Sequence, residues 1–312
     1  MSIAIQTSMI TGNGSATFTF PSTIGAYAYA LQQFNLQTLQ LGTVIQRIGL
    51  ALRPRDGTGV GTTSLIIDQQ MLLDQVDLDG SWAEVAVIAW LGSTNPPGLF
   101  LQNQNGITVD QMSSGTSSSP VSTGGPPMYA TAAIAGFSYQ FAEDDSDFLG
   151  IGAGVGATPD PYASTPSLSV VGSGIWTGDS AFTGVVDAAL IATTGNNLGL
   201  GLGYLPNPAW GTNVVDQLPG LGGAPVGAAA FLIQSFFCQF CINAIGHDTP
   251  DFSQLTTGVP PDVVQLNVPS GGNVSFRSVQ QLCGCAIVDE GPVIFSAENL
   301  VANYLIAETA SS

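Results

Sequence analysis

Apolar and polar positions alternate with period two along much of the chain. In Gly25–Thr38, Tyr27, Tyr29 and Leu31 alternate with Ala28, Ala30 and Gln32, the mark of a strand with two unlike faces. Small residues on one face let a second sheet or a neighbouring copy come close. Clusters of turn residues cut the runs at Thr94–Leu99, Thr158–Ala163 and Gly258–Val263, where Gly, Pro, Asn and Asp favour reversal of the backbone. No stretch sustains a helical period between caps. The pattern predicts an all-β fold.

The alternating segments recur. Gly25–Thr38, Met128–Ala142 and Gly227–Cys241 each begin with small residues and reach an aliphatic at Leu31, Ile134 and Ile233. Three positions later each places an aromatic, Phe34, Phe137 and Phe236, which stand 103 and 99 residues apart. A second anchor lies upstream with nearly the same period, at Ile5–Met9, Val109–Met112 and Val215–Leu218. Apolar runs at Glu84–Gly92, Gly184–Thr193 and Asn299–Glu308 close the units. Two anchors in one order at one period imply internal repetition. The expectation is three tandem β-sandwich or jelly-roll-like repeats of about 100 residues, spanning 1–106, 107–212 and 213–312.

Charge narrows the function classes. The chain has 4 Lys+Arg against 22 Asp+Glu and a net charge of −18; all four cations are arginines, Arg47, Arg53, Arg55 and Arg277. Four arginines build no phosphate-binding surface, which excludes nucleic acid as a partner. The same charge repels anionic membranes. With His247 as the one histidine and no lysine, acid–base equipment is sparse, and a non-enzymatic protein is expected. Gly227–Gly246 is uncharged and 20 residues long, enough for a bilayer helix, but Gln234, Ser235, Gln239 and Asn243 interrupt it. It reads as buried strand, and no membrane span is expected. Met1–Gln6 has neither a basic start nor a long apolar run, so the expectation is export without an N-terminal signal peptide to the cell exterior or a particle surface, with the cytoplasm as the other location.

Several residue groups are candidates for chemistry. Cys238, Cys241, Cys283 and Cys285 all lie in the third segment; they suit buried thiols, a disulfide in an oxidising compartment, or a four-thiolate zinc site. On a strand, Cys238 and Cys241 would face opposite ways unless a bulge intervenes. Asp77 and Asp79 before Gly80, and Asp144, Asp145 and Asp147 in an acidic turn, supply oxygen ligands for calcium. Calcium takes six to eight oxygens and neither run spells a full loop, so solvated turns account for them as well. His247 sits between Gly246 and Asp248 with no Gly-x-Ser-x-Gly elbow in the chain, and reads as a turn residue. Gly150–Gly156 lacks the Lys-Ser/Thr of a phosphate loop. Trp82 and Trp176, in comparable regions before the closing strands, could stack on glycans or cover sheet edges.

The surface carries the functional expectation. Soluble β-proteins guard strand edges with charge, above all lysine. Without it, Ser, Thr, Asn, Gln and Gly must cover the outside, and such surface loses little on burial between subunits. The sequence predicts a non-enzymatic structural protein that self-assembles into a sheath, fibre, shell or surface layer, its partner being itself. Alternatives are a glycan-binding lectin or adhesin with related sites in the repeats, and a β-rich toxin component.

Overall fold

The computed structural model describes residues 2–37, 46–73, 80–92, 98–110, 114–116, 121–123, 125–142, 150–159, 167–177, 181–194, 200–206, 213–217, 226–239, 251–258, 265–267, 273–277, 282–288, 293–296 and 300–308. Among these the protein is all-β, with no helix, and no helix is long and apolar enough to cross a membrane.

Three large antiparallel sheets make up the body. The first orders its strands β1 (Ser2–Thr11), β6 (Trp82–Leu91), β3 (Ile24–Gln37), β17 (Asp251–Gly258), β20 (Leu282–Val288) and β21 (Val293–Ser296). The second runs β2 (Ser15–Thr19), β5 (Ser64–Leu73), β4 (Arg47–Pro54), β10 (Tyr129–Phe141), β13 (Phe182–Thr193) and β7 (Leu99–Asp110). The third runs β14 (Leu200–Pro206), β22 (Leu300–Glu308), β16 (Val226–Gln239), β11 (Gly150–Pro159), β12 (Ser167–Thr177) and β8 (Ser114–Thr116), with β9 (Val121–Ser122) also on β12. A small fourth sheet joins β15 (Asn213–Gln217), β19 (Asn273–Arg277) and β18 (Gln265–Asn267).

Strand pairing runs across residues 106/107 and 212/213. At the centre of each large sheet, a long strand joins a strand from a distant segment: β3 with β17, β10 with β4, and β16 with β11. The three phenylalanines occupy these joints, with Phe34 opposite Thr257, Phe137 opposite Leu50 and Phe236 opposite Ala153. Their rings meet one another. Centroid distances are 5.5 Å for Phe34–Phe137, 5.5 Å for Phe34–Phe236 and 5.4 Å for Phe137–Phe236, within the range of favourable tilted and edge-on contacts. All three rings are buried.

A bulge precedes each ring. Register shifts fall between Leu31 and Gln33, Ile134 and Gly136, and Ile233 and Ser235. In a regular strand, residues three apart point to opposite faces. One extra residue restores the face, and so Leu31 with Phe34, Ile134 with Phe137, and Ile233 with Phe236 all enter the same core. The alternate positions build a second core rich in alanine, including Ala28, Ala30, Ala133, Ala189 and Ala230. Small side chains there let strands of all three sheets approach closely.

Two substitutions test this packing. Phe137→Ala removes a ring touching both other phenylalanines and Tyr139; a loss of about 3 to 5 kcal/mol in urea unfolding is expected, and a loss under about 1 kcal/mol would contradict a shared aromatic centre. Gln32, the bulge residue of β3, is 1% exposed, and its Nε2 and Oε1 have no hydrogen-bond partner among the described residues. Gln32→Met should therefore raise the urea midpoint, by about 1 kcal/mol in stability; a lowered midpoint would show that the amide is satisfied.

Candidate functional site

The residues singled out from sequence that the structure describes lie on four strands of two sheets. Asp77, Asp79, Asp144, Asp145, Asp147, Cys241 and His247 lie outside the described residues. Cys238 is on β16, in register with Ile151 of the third sheet, whereas Cys283 and Cys285 are on β20 of the first, opposite Thr257 and Leu255. Trp82 opens β6, opposite Thr11 and Asn35. Trp176 lies on β12 opposite Ile151. Among the described residues no group of three or more His, Cys, Asp and Glu is placed to hold a metal.

Two buried carboxylates stand opposite the bulges instead. Glu84 faces Gln33 and accepts a hydrogen bond from its Nε2 at 2.6 Å. Asp187 faces Gly136 and is 2% exposed. Its Oδ1 accepts the Gly106 N–H at 2.6 Å, and its Oδ2 accepts from Arg53 Nη1 at 2.6 Å. Arg53 lies on β4 and Asp187 on β13, with β10 between them. Gly136 leaves the space they need: a Cβ there would stand 3.1 Å from Asp187 Oδ2 and 2.7 Å from the Leu50 carbonyl. Arg53 Nη1 also donates to the Leu52 carbonyl at 2.7 Å, the same oxygen that Tyr29 Oη reaches at 3.3 Å. A buried charge needs such partners to persist, and these bonds join four strands, β3, β4, β7 and β13.

Beside this network lies a cleft of about 360 Å³ between β3, β7 and the turn after β4. Its ten lining residues, among them Tyr27, Tyr29, Val60, Gln102 and Asn103, are all uncharged. The cleft exists because β3 has an open side. β6 pairs with β3 over Ile24–Asn35, but on the other side β17 reaches only Gln33–Gln37. Beyond that point other groups stand in for a strand. Asn103 Oδ1 accepts the Tyr29 N–H at 3.1 Å, and Asn103 Nδ2 donates to the Tyr29 carbonyl at 2.8 Å. Further along, the Ile24 N–H donates to the Thr62 carbonyl at 2.8 Å, and the Gly61 N–H donates to the Ile24 carbonyl at 2.9 Å. The cleft opens between these two closures.

Tyr27 forms one wall, its ring 6.4 Å from that of Tyr29 and stacked at 25°. The loop can lie against this ring because Gly59 has φ +97° and no side chain; a Cβ there would stand 2.7 Å from Tyr27 Cε1. Burial raises the hydroxyl pKa of Tyr27. Burial also pushes Tyr29 up to about 12, against the opposing pull of the Arg53 charge. The lining thus offers ring surface, carboxamides and backbone, with no group that ionises near neutral pH.

Sequence reasoning did not find this cleft. Gln102-Asn103-Gln104-Asn105-Gly106 has the composition of a turn, yet β7 runs through it. A register shift between Val186 and Ala188 of β13 takes up the extra residues.

The raised Tyr29 pKa sets a pH dependence. The unfolded phenol ionises near 10, whereas the folded one stays neutral until about 12. Its stabilising contribution is complete below pH 10 and falls away as pH rises through 12. Tyr29→Phe should flatten the decline in urea midpoint between about pH 9.5 and 11.5; an unchanged slope would mean that Tyr29 titrates normally. No family model matches the chain, and no curated protein or solved structure matches it.

Proposed function

We propose that this protein is a non-enzymatic building block that self-associates through uncharged sheet edges, and that it is made of three copies of one unit, 1–106, 107–212 and 213–312. The observation that carries self-association is the chemistry of the edges. The outer strands of the three large sheets are β1 and β21, β2 and β7, and β14 and β8, and the only charged residue in them is Asp110. Unpaired strand edges recruit further strands unless charge, proline or a cover prevents it. On β1, Thr7 and Met9 are exposed, Met9 at 56%.

Triplication is supported by the equivalent joints at Phe34, Phe137 and Phe236 and by the bulge two residues before each. In this reading each copy lends strands to the sheet of the next. β4 of the first copy meets β10 of the second, β11 of the second meets β16 of the third, and β17 of the third returns to β3 of the first. The ring closes within one chain, so growth must use the outer edges. Such a unit suits an array outside the cell or on a particle.

The test is light scattering across a salt series. Assembly through neutral edges strengthens as salt screens the net charge of −18, since exposed charges interact over about 8 Å at physiological salt. Met9→Lys and Thr7→Lys place a guarding charge on β1 and should shift the particle towards monomer without moving the urea midpoint. A wild-type protein that stays monomeric at high concentration and high salt would overturn the proposal.

A further inference from the structure

The open side of β3 has a chemistry of its own, independent of self-association. In an antiparallel pair, a residue turns both its N–H and its C=O to one side, and residues two apart turn theirs to the same side. Tyr29 directs both groups away from β6, because both engage Asn103. Tyr27, Ala28 and Tyr29 stay in unbroken register with Ala89, Ile88 and Val87. Tyr27 therefore presents its N–H and C=O to the same open side, and it lines the cleft. Ile24 also faces that side; the register shift between Ile24 and Ala26 accounts for its parity.

The protein's own contacts specify what fits. At Tyr29 the occupant is a carboxamide, giving one donor and one acceptor to one residue. At Ile24 it is loop backbone, again a donor and an acceptor. Tyr27 lies between these closures, about 7 Å from Tyr29 along the strand. That leaves room for one amide and excludes an added strand, which would collide with Asn103 on one side and with the turn at Gly61 and Thr62 on the other. An uncharged lining favours a neutral guest, since an ion would lose water without gaining a counter-charge. The Tyr27 ring supplies apolar contact beside the amide.

We infer that the cleft binds a small neutral molecule through a primary carboxamide, whose syn N–H and C=O pair with the C=O and N–H of Tyr27 as Asn103 pairs with Tyr29. A trans secondary amide points its N–H and C=O in opposite directions and cannot make both bonds. Such a carboxamide can come from a free small molecule or from an amidated peptide end. Backbone amide NMR on the full chain distinguishes these sources. Propionamide, N-acetylglycinamide and N-methylacetamide serve as probes at millimolar concentration. The expected result is a saturable shift of the Tyr27 N–H with one or both primary amides and none with N-methylacetamide. A response to propionamide alone identifies the small free carboxamide, and one to N-acetylglycinamide alone the amidated peptide end. An equal response to N-methylacetamide would show recognition through a single bond and overturn the inference, as would no response at Tyr27 to any probe. Val60→Trp narrows the rim at a residue that is 63% exposed and should weaken binding about tenfold at an unchanged urea midpoint. Unchanged affinity would place binding elsewhere. Hydrogen exchange checks the premise: Tyr29 N–H should be protected and Tyr27 N–H should exchange fast, and a protected Tyr27 in the free protein would mean that its partner is already present.

Discussion

Three phenyl rings, each within 5.5 Å of the other two, tie three sheets to a common centre. Each ring sits where two strands from distant parts of the chain meet, so a single contact set joins all three long strands, β3, β10 and β16. Removing one ring opens a gap facing both others, because a close-packed interior has few atoms to spare. Such long-range pairing also makes folding slow, since loop closure comes before the contacts that reward it.

The bulges make this centre possible and introduce the polar groups around it. An inserted residue brings the aliphatic and the aromatic onto one face, but it also disturbs the ladder and turns the next residue towards the neighbouring strand. In two sheets a carboxylate occupies that spot, Glu84 facing Gln33 and Asp187 facing Gly136; in the third it is Val301 facing Ser235. The valine shows that the bulge itself does not require a charge. Where a carboxylate is present it is bonded: Glu84 to Gln33, and Asp187 to Arg53 and Gly106.

Strand character and the distinctive residues at the centre were legible from alternation and spacing. The three-residue step from Leu31 to Phe34, repeated at Ile134–Phe137 and Ile233–Phe236, already conflicts with a regular strand if both residues are buried, and the bulge is the physical answer. Which strand lies beside which was not legible. A pairing such as β3 with β17 depends on backbone hydrogen bonds that carry no residue signature, and a sandwich within one segment satisfies the same alternation as a sheet shared between segments. The cleft was hidden for a related reason. Asn103 and Asn105 read as turn residues, and only the three-dimensional path of β7 brings Asn103 against Tyr29.

Amide side chains do at several edges what lysine does elsewhere. Asn103 closes Tyr29. Asn13 Oδ1 accepts the Met71 N–H at 2.7 Å, and Gln69 Nε2 donates to the carbonyls of Ile10 and Gly12 at 3.1 and 2.7 Å. A carboxamide carries both a donor and an acceptor and can replace one rung of a ladder, whereas lysine only repels an incoming strand. Amides do not titrate, so these closures hold equally in acid and at neutral pH, and salt does not screen them. They also stop locally. One amide covers one residue, leaving the next rung open, as at Tyr27, and leaving longer edges such as β1 without a charged guard. A lysine-free β-protein therefore retains both short openings between local closures and long neutral edges, and both arise from the same choice of surface chemistry.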